Sequence, residues 1–179
     1  KQACPCRNLS VKEQHLRYDK MFSSYKPGEA VLRLKTNMAH KNPAMRDFPL
    51  MRINDSKHPR QGTKHKVWPL MNLAVTVDDH NLGVTHTLRA KDHMDNEKRQ
   101  RMICDALGWK SPAAVYVGRI NFTDMKLSTT ETKEKILAGE FTGWDDIRLP
   151  FLRALKRRGY TPDAFVNYSL DVGITENDK

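Results

Sequence analysis

From Val67 onward the chain changes its hydrophobic rhythm, and that change constrains the fold more than any other feature. Pro69 sits where a first helical residue would sit. Leu70, Leu73, Ala74 and Val77 then recur at helical spacing, and Gly83 ends the segment. Val84 to Arg89 reads as a buried strand. A second helical pattern runs from Met94 to Leu107, with Gly108 just past its end. Val115 to Ile120 reads as another strand. Helix and strand alternating in this way build an α/β layer.

Before Val67 the pattern is looser. Ser10-Val11-Lys12-Glu13 reads as a capping box that opens a helix to about Phe22. Lys26-Pro27-Gly28-Glu29 is a turn. Ala30 to Lys35 alternates apolar and basic residues, as a strand with one wet face does. Asn42 to Asp47 is an irregular polar loop. Leu50 to Ile53 is a second strand, and Asp55 to Lys66, with Pro59 and Gly62, is a loop or hairpin end. Near the far end, Pro150 can start a short helix that Gly159 stops. Thr161-Pro162-Asp163 caps another that runs to about Asp171.

The charge balance is strongly basic. Thirty-one lysines and arginines stand against 21 acidic residues among 179, a net charge of +10. They are spread along the whole length, which suits an extended polyanion such as RNA or DNA better than a merely solvated basic surface. Cys4, Cys6 and Cys104 form no disulfide framework, which fits a reducing, cytoplasmic compartment. No apolar run is long enough to span a bilayer, so no membrane partner is expected. The chain begins at Lys1 and its first motif starts at once, so it reads as a fragment of a longer polypeptide.

Several groups could carry chemistry. Arg89 ends a strand of buried type, where a charge needs a partner. An internal salt bridge to Asp78, Asp79 or Asp92 and a fork for a substrate carboxylate are equally open readings. Lys126-Leu127-Ser128-Thr129-Thr130 could cradle phosphates, although such a run is usually an ordinary polar turn. Asp78, Asp79, His80, His86, Asp92 and His93 lie close in sequence but lack the spacing of a compact zinc site. Cys4-Pro5-Cys6 supplies two of the four ligands a structural zinc takes. Arg148, Arg153, Lys156, Arg157 and Arg158 could follow an RNA backbone, or form the solvated face of a helix whose other face is Phe151, Leu152 and Leu155.

Taken in order, these segments resemble the second half of a glutamyl-tRNA synthetase catalytic domain. The resemblance rests on Val67-Trp68-Pro69-Leu70-Met71-Asn72, Val77-Asp78-Asp79-His80, Gly83-Val84-Thr85-His86 and Leu88-Arg89-Ala90-Lys91-Asp92-His93. Lys126 to Thr130 resembles that family's KMSKS loop. Gly143-Trp144-Asp145-Asp146, Arg148-Leu149-Pro150 and Leu152 to Leu155 continue the match. Ala30 to Lys35 and Asn42 to Asp47 resemble the acceptor-stem insertion, most like the archaeal branch.

The resemblance implies an α/β fold: the second half of a class I, Rossmann-like nucleotide-binding domain plus part of an inserted acceptor-stem-binding domain. It implies three regions: 1–66 in the insertion, 67–115 in the catalytic domain, and 116–179 for the loop and helical stem contacts. It implies a ligase that joins L-glutamate to tRNA through a glutamyl-adenylate, with ATP and Mg2+. The tRNA would accept glutamate, with glutamine-accepting tRNA also open. Arg89 would pair with the substrate side-chain carboxylate, and Met71 and Asn72 would line the amino-acid pocket. Arg119 and Ile120 would lie by the adenine and phosphates, with Lys126, Ser128 and Thr129 in the phosphate loop. Cys4 and Cys6 would hold Zn2+ only with upstream ligands.

Two departures qualify this. Thr129 replaces the second lysine of the loop, leaving Lys126 or Lys133 to supply the charge. The HIGH-type motif would lie upstream of Lys1 and the anticodon-binding domain downstream, so the chain alone should not activate glutamate. The competing expectation is a non-catalytic module that holds an RNA acceptor stem.

Overall fold

The computed structural model describes residues 3–121 and 128–179. They divide into two compact units. Among the described residues, the larger comprises 3–88 and 92–115, and the smaller 89–91, 116–121 and 128–179.

In the larger unit, helix α1 spans Val11–Ser23. Ser10 caps it, its Oγ accepting from the Glu13 N–H at 3.2 Å, as the capping-box pattern predicts. Strands β1 (Val31–Arg33), β2 (Pro49–Ile53) and β3 (Val67–Pro69) form an antiparallel sheet in that order. Leu32 faces Met51 across β1 and β2, and Met51 faces Pro69 across β2 and β3. The two buried residues of β2, Leu50 and Ile53, are three apart and so face opposite sides of the sheet, each into its own cluster. Ile53 packs with Met21 and Val67, while Leu50 packs with Phe48 and Ile103.

Pro69 is a correction to the sequence reading. It ends β3 instead of opening a helix. A proline lacks the N–H that an interior strand needs, and β3 is an edge strand where that lack is tolerated. The Leu70 N–H continues the ladder to the Leu50 carbonyl at 2.7 Å. Helix α2 therefore begins at Met71 and runs to Asn81. Helix α3, Met94–Leu107, packs on α2 and ends on Gly108 at φ 69°, the left-handed conformation that glycine takes without strain. Its first turns hold the 42–46 loop. Asn42 Nδ2 donates to both oxygens of Asp95 at 3.0 and 3.1 Å, and Arg99 Nε donates to the Ala44 carbonyl at 2.9 Å.

Strands β4 (His86–Ala90) and β5 (Ala113–Val117) make a two-stranded sheet. β4 is not the buried strand its apolar run suggested: Leu88 is 64% exposed. Two strands bury only the faces that another layer covers. β5 also begins and ends earlier than the run Val115 to Ile120 suggested.

The smaller unit adds α4 (Thr129–Leu137), α5 (Leu152–Arg157) and α6 (Pro162–Val172). Ala154 and Leu155 are buried, as is Leu149. Leu152, expected on the apolar face of α5, is exposed. Thr161 stands at the start of α6 in an extended conformation, but its side chain accepts no capping bond. Pro162 at the first helical position starts the helix instead, because its fixed φ suits that site. Leu170 and Ile174 are more than 70% exposed. No helix among the described residues is long and apolar enough to cross a membrane.

Candidate functional site

Arg89 lies in the last turn of pleat in β4 and is half-buried. Arg119 and Ile120 follow the end of β5 and are exposed. All three belong to the smaller unit. So do Ser128 and Thr129. Ser128 caps α4, its Oγ accepting from the Glu131 N–H at 3.3 Å, and Thr129 is that helix's first residue. The N–H groups of a first helical turn favour anions. Lys126 and Leu127 lie outside the described residues.

The segment 175–179 runs beside the exit of β5. The Gly118 N–H donates to the Thr175 carbonyl at 2.7 Å, the Lys179 N–H to the Arg119 carbonyl at 2.9 Å, and the Asn121 N–H to the Lys179 carbonyl at 2.6 Å. Asp178 Oδ1 accepts from the Arg119 N–H at 2.8 Å and from Lys91 Nζ at 2.8 Å. Gly118 makes this approach possible, since a Cβ there would lie 2.1 Å from the Asn177 carbonyl oxygen. The sequence reading missed Asp178 and Lys91. The available signal was an isolated glycine at the end of a strand pattern, which marks a close backbone approach.

Met71 and Asn72 open α2 in the larger unit. Met71 is half exposed. Asn72 is buried, and its Oδ1 has no hydrogen-bond donor. A buried acceptor without a donor is costly in a folded protein and is a natural place for a ligand's N–H.

The acidic and histidine residues between 78 and 93 do not assemble a metal centre. Among the described residues no three His, Cys, Asp or Glu side chains are grouped to hold an ion. The His80 ring instead stacks on Trp109, with centroids 3.9 Å apart and planes at 2°. Cys4 and Cys6 are exposed at the 3₁₀ turn Pro5–Asn8. Hydrogen bonds from the Cys6 backbone and thiol hold the Cys4 thiol below its ordinary range, and Arg33 and Arg17 add to this. Arg17 Nη1 lies 3.8 Å from Cys6 Sγ. Two sulfur donors do not fit the four-ligand shell of a structural zinc.

The basic stretch is mostly engaged internally. Arg148 is bound to Asp146, Arg157 Nη1 donates to Asp145 Oδ2 at 3.2 Å, and Arg158 lies over the Tyr160 ring.

The comparisons with known proteins agree on a family. The model for class I tRNA synthetases (E and Q), catalytic domain, matches residues 2–179. A glutamate–tRNA ligase of Methanothermobacter thermautotrophicus is 47% identical over 173 residues, covering 97% of this chain. One from Thermococcus onnurineus is 48% identical over 178 residues, covering 98%. This chain belongs to the class I tRNA synthetases of the glutamate and glutamine group, within their catalytic domain. It spans 31% of the length of each of these two relatives. A crystal structure of a glutamate tRNA ligase from Elizabethkingia meningosepticum, in complex with its amino acid, is 18% identical at a TM-score of 0.38. It covers 72% of this chain and 25% of its own.

Proposed function

We propose that this chain forms part of a ligase that attaches glutamate to a glutamate-accepting tRNA through a glutamyl-adenylate made with ATP. The observation that carries the reading is the match of residues 2–179 to the catalytic-domain model of the class I tRNA synthetases (E and Q). The names of the relatives supply the substrates.

In this reading Arg89 presents a planar fork of donors to the glutamate side-chain carboxylate. A neutral amide offers that fork no charge to pair with, so glutamate is favoured over glutamine. Within the larger unit, the buried Asn72 Oδ1 is offered as an acceptor for a ligand's N–H, with Met71 beside it as apolar wall. Arg119 and Ile120 border the nucleotide. The amides of the first turn of α4, with Ser128 and Thr129, face the phosphates, and Lys126 adds positive charge as phosphoryl oxygens accumulate negative charge. ATP enters as its magnesium complex. Residues 1–66 act as part of the acceptor-stem insertion, 67–115 as the second half of the catalytic domain, and 116–179 as the loop and stem-contact region. The reaction belongs in the cytoplasm.

Glutamate-dependent ATP–pyrophosphate exchange, with tRNA present, tests this. It should be measured on this chain and on one extended to the full length of its relatives. Exchange in the extended chain alone is the expected result. Exchange in neither would leave a basic module that holds an RNA acceptor stem without chemistry.

A further inference from the structure

We propose that Asp178 is a positioning residue that fastens the end of β4 to the exit of β5 and thereby holds Arg89 in register with Arg119 and Ile120. The inference rests on the reading of those three residues as glutamate and nucleotide contacts.

One carboxylate oxygen makes the connection. Asp178 Oδ1 receives Lys91 Nζ, two residues beyond Arg89, and the backbone N–H of Arg119, both at 2.8 Å. The Lys91 ammonium, then the Arg119 amide, hold the carboxyl below its ordinary range and so favour its charged form. The three backbone bonds from Gly118, Lys179 and Asn121 flank it on both sides. Residues 118–121 are thus paired along an edge that would otherwise present bare N–H and C=O groups. The arrangement gives two strand ends one shared anchor. An anion here would repel a triphosphate, so Asp178 does not itself bind the nucleotide. It acts through the backbone and the lysine it holds.

The arrangement matters because contacts that recognise a transition state must be held to a fraction of an ångström. A surface ion pair adds little to stability in general. Loss of this one should therefore appear in substrate use before it appears in folding.

The test uses the chain extended to the full length of its relatives, with three variants. Asp178→Ala removes the anchor. Lys91→Met cuts only the link to β4. Gly118→Ala keeps every charge but drives the 175–179 segment off the β5 exit, because its Cβ would meet the Asn177 carbonyl. The readouts are the Michaelis constants for ATP and glutamate in pyrophosphate exchange, and the melting temperature. Asp178→Ala and Gly118→Ala should each raise both constants about ten-fold, with a melting temperature close to wild type. Lys91→Met should raise the glutamate constant more than the ATP constant. Asp178→Glu, which keeps the charge, should recover most of the loss. Wild-type exchange together with unchanged constants in Asp178→Ala and Gly118→Ala would overturn the positioning role alone. Constants that rise only in step with a falling melting temperature would reduce Asp178 to a structural contact and overturn it too. No exchange in the wild-type extended chain would overturn the functional reading, and this inference with it.

Discussion

Arg148 holds Asp146 in a two-point grip, with Nε on Oδ1 at 2.9 Å and Nη2 on Oδ2 at 2.7 Å. The carboxylate is buried and also accepts from the Thr142 N–H at 3.0 Å. The same guanidinium reaches the Glu140 carbonyl at 2.7 Å and lies over the Phe141 ring. The knot closes the loop between α4 and α5, so Arg148 serves the fold more than an RNA backbone. The Arg148 side chain, followed by the Thr142 and Arg148 amides, holds the Asp146 carboxyl far below the ordinary carboxylate range. Its folded-state value lies below its unfolded value. Its contribution is therefore complete above the unfolded value and is lost as pH falls toward the folded one. Asp146→Asn should lower the urea midpoint at pH 7 and flatten the further decline below about pH 4. Parallel acid limbs in wild type and variant would contradict this.

Asp47 carries a different load. It is a non-glycine residue at φ 36°, a conformation that costs an ordinary side chain energy. Its surroundings over-determine it. Its carboxylate is paired with Arg7 and accepts from the Thr36 N–H at 2.8 Å, and its own N–H donates to Thr36 Oγ1 at 2.7 Å. Arg33 Nη1 donates to its carbonyl. Burial pushes the carboxyl up, but Arg7 and Thr36 outweigh it and hold it below the ordinary range. Asp47→Ala keeps the strain and loses the partners, so it should destabilise the larger unit by about 3 kcal/mol. Asp47→Gly relieves the strain and should cost about 1 kcal/mol less than Asp47→Ala. Chemical denaturation of the three proteins would show this order, and equal losses would remove backbone strain from the account.

Asn72 should trade stability against binding. Its buried Oδ1 lacks a donor, so Asn72→Leu removes an unsatisfied acceptor and should stabilise the chain by about 1 kcal/mol. In the chain extended to the full length of its relatives, the same change should raise the Michaelis constant for glutamate. A stability gain with unaltered glutamate use would make the orphan oxygen a flaw of packing instead of a ligand contact.

The local elements were legible where chemistry is local. Ser10 with Glu13, and Leu107 with Gly108, announce their helix ends because each signal lies within one turn. Pro69 misled because nothing near it in sequence shows that Met51 waits across the sheet. Leu88 misled in the same way, since apolar character reveals what could be buried but not whether a second layer is there to bury it. In the candidate site, residue type alone left Arg89 and the run Lys126 to Thr130 ambiguous, and it was the resemblance that singled them out. Asp178 was missed, because its partners Lys91 and Arg119 lie 87 and 59 residues away. Long-range pairing leaves no periodic trace, and the only local hint was Gly118.

Arg89 provides the sharpest chemical test of the substrate. Arg89→Cys removes the fork that the proposed glutamate carboxylate requires, and a cysteine thiol cannot replace its charge. In the extended chain, kcat/KM for glutamate should fall at least about a hundred-fold, while the ATP constant stays near wild type. Arg89→Lys restores charge without the paired geometry and should recover only part of the loss. Glutamate turnover near wild type in Arg89→Cys would end this role.

Ser128 and Thr129 separate helix capping from phosphate chemistry at adjacent positions. Ser128→Ala removes the acceptor for the Glu131 N–H and should cost α4 about 1 kcal/mol, read as earlier thermal unfolding. Thr129→Lys acts in two directions. A cation at the first position of α4 opposes the helix dipole and should cost about 0.5 kcal/mol of stability. It also returns the second positive charge that the resemblance to the KMSKS loop calls for, so the rate of pyrophosphate exchange in the extended chain should rise. A slower exchange would mean that Lys126 or Lys133 already supplies that charge and that a second cation at 129 interferes with the first turn of α4.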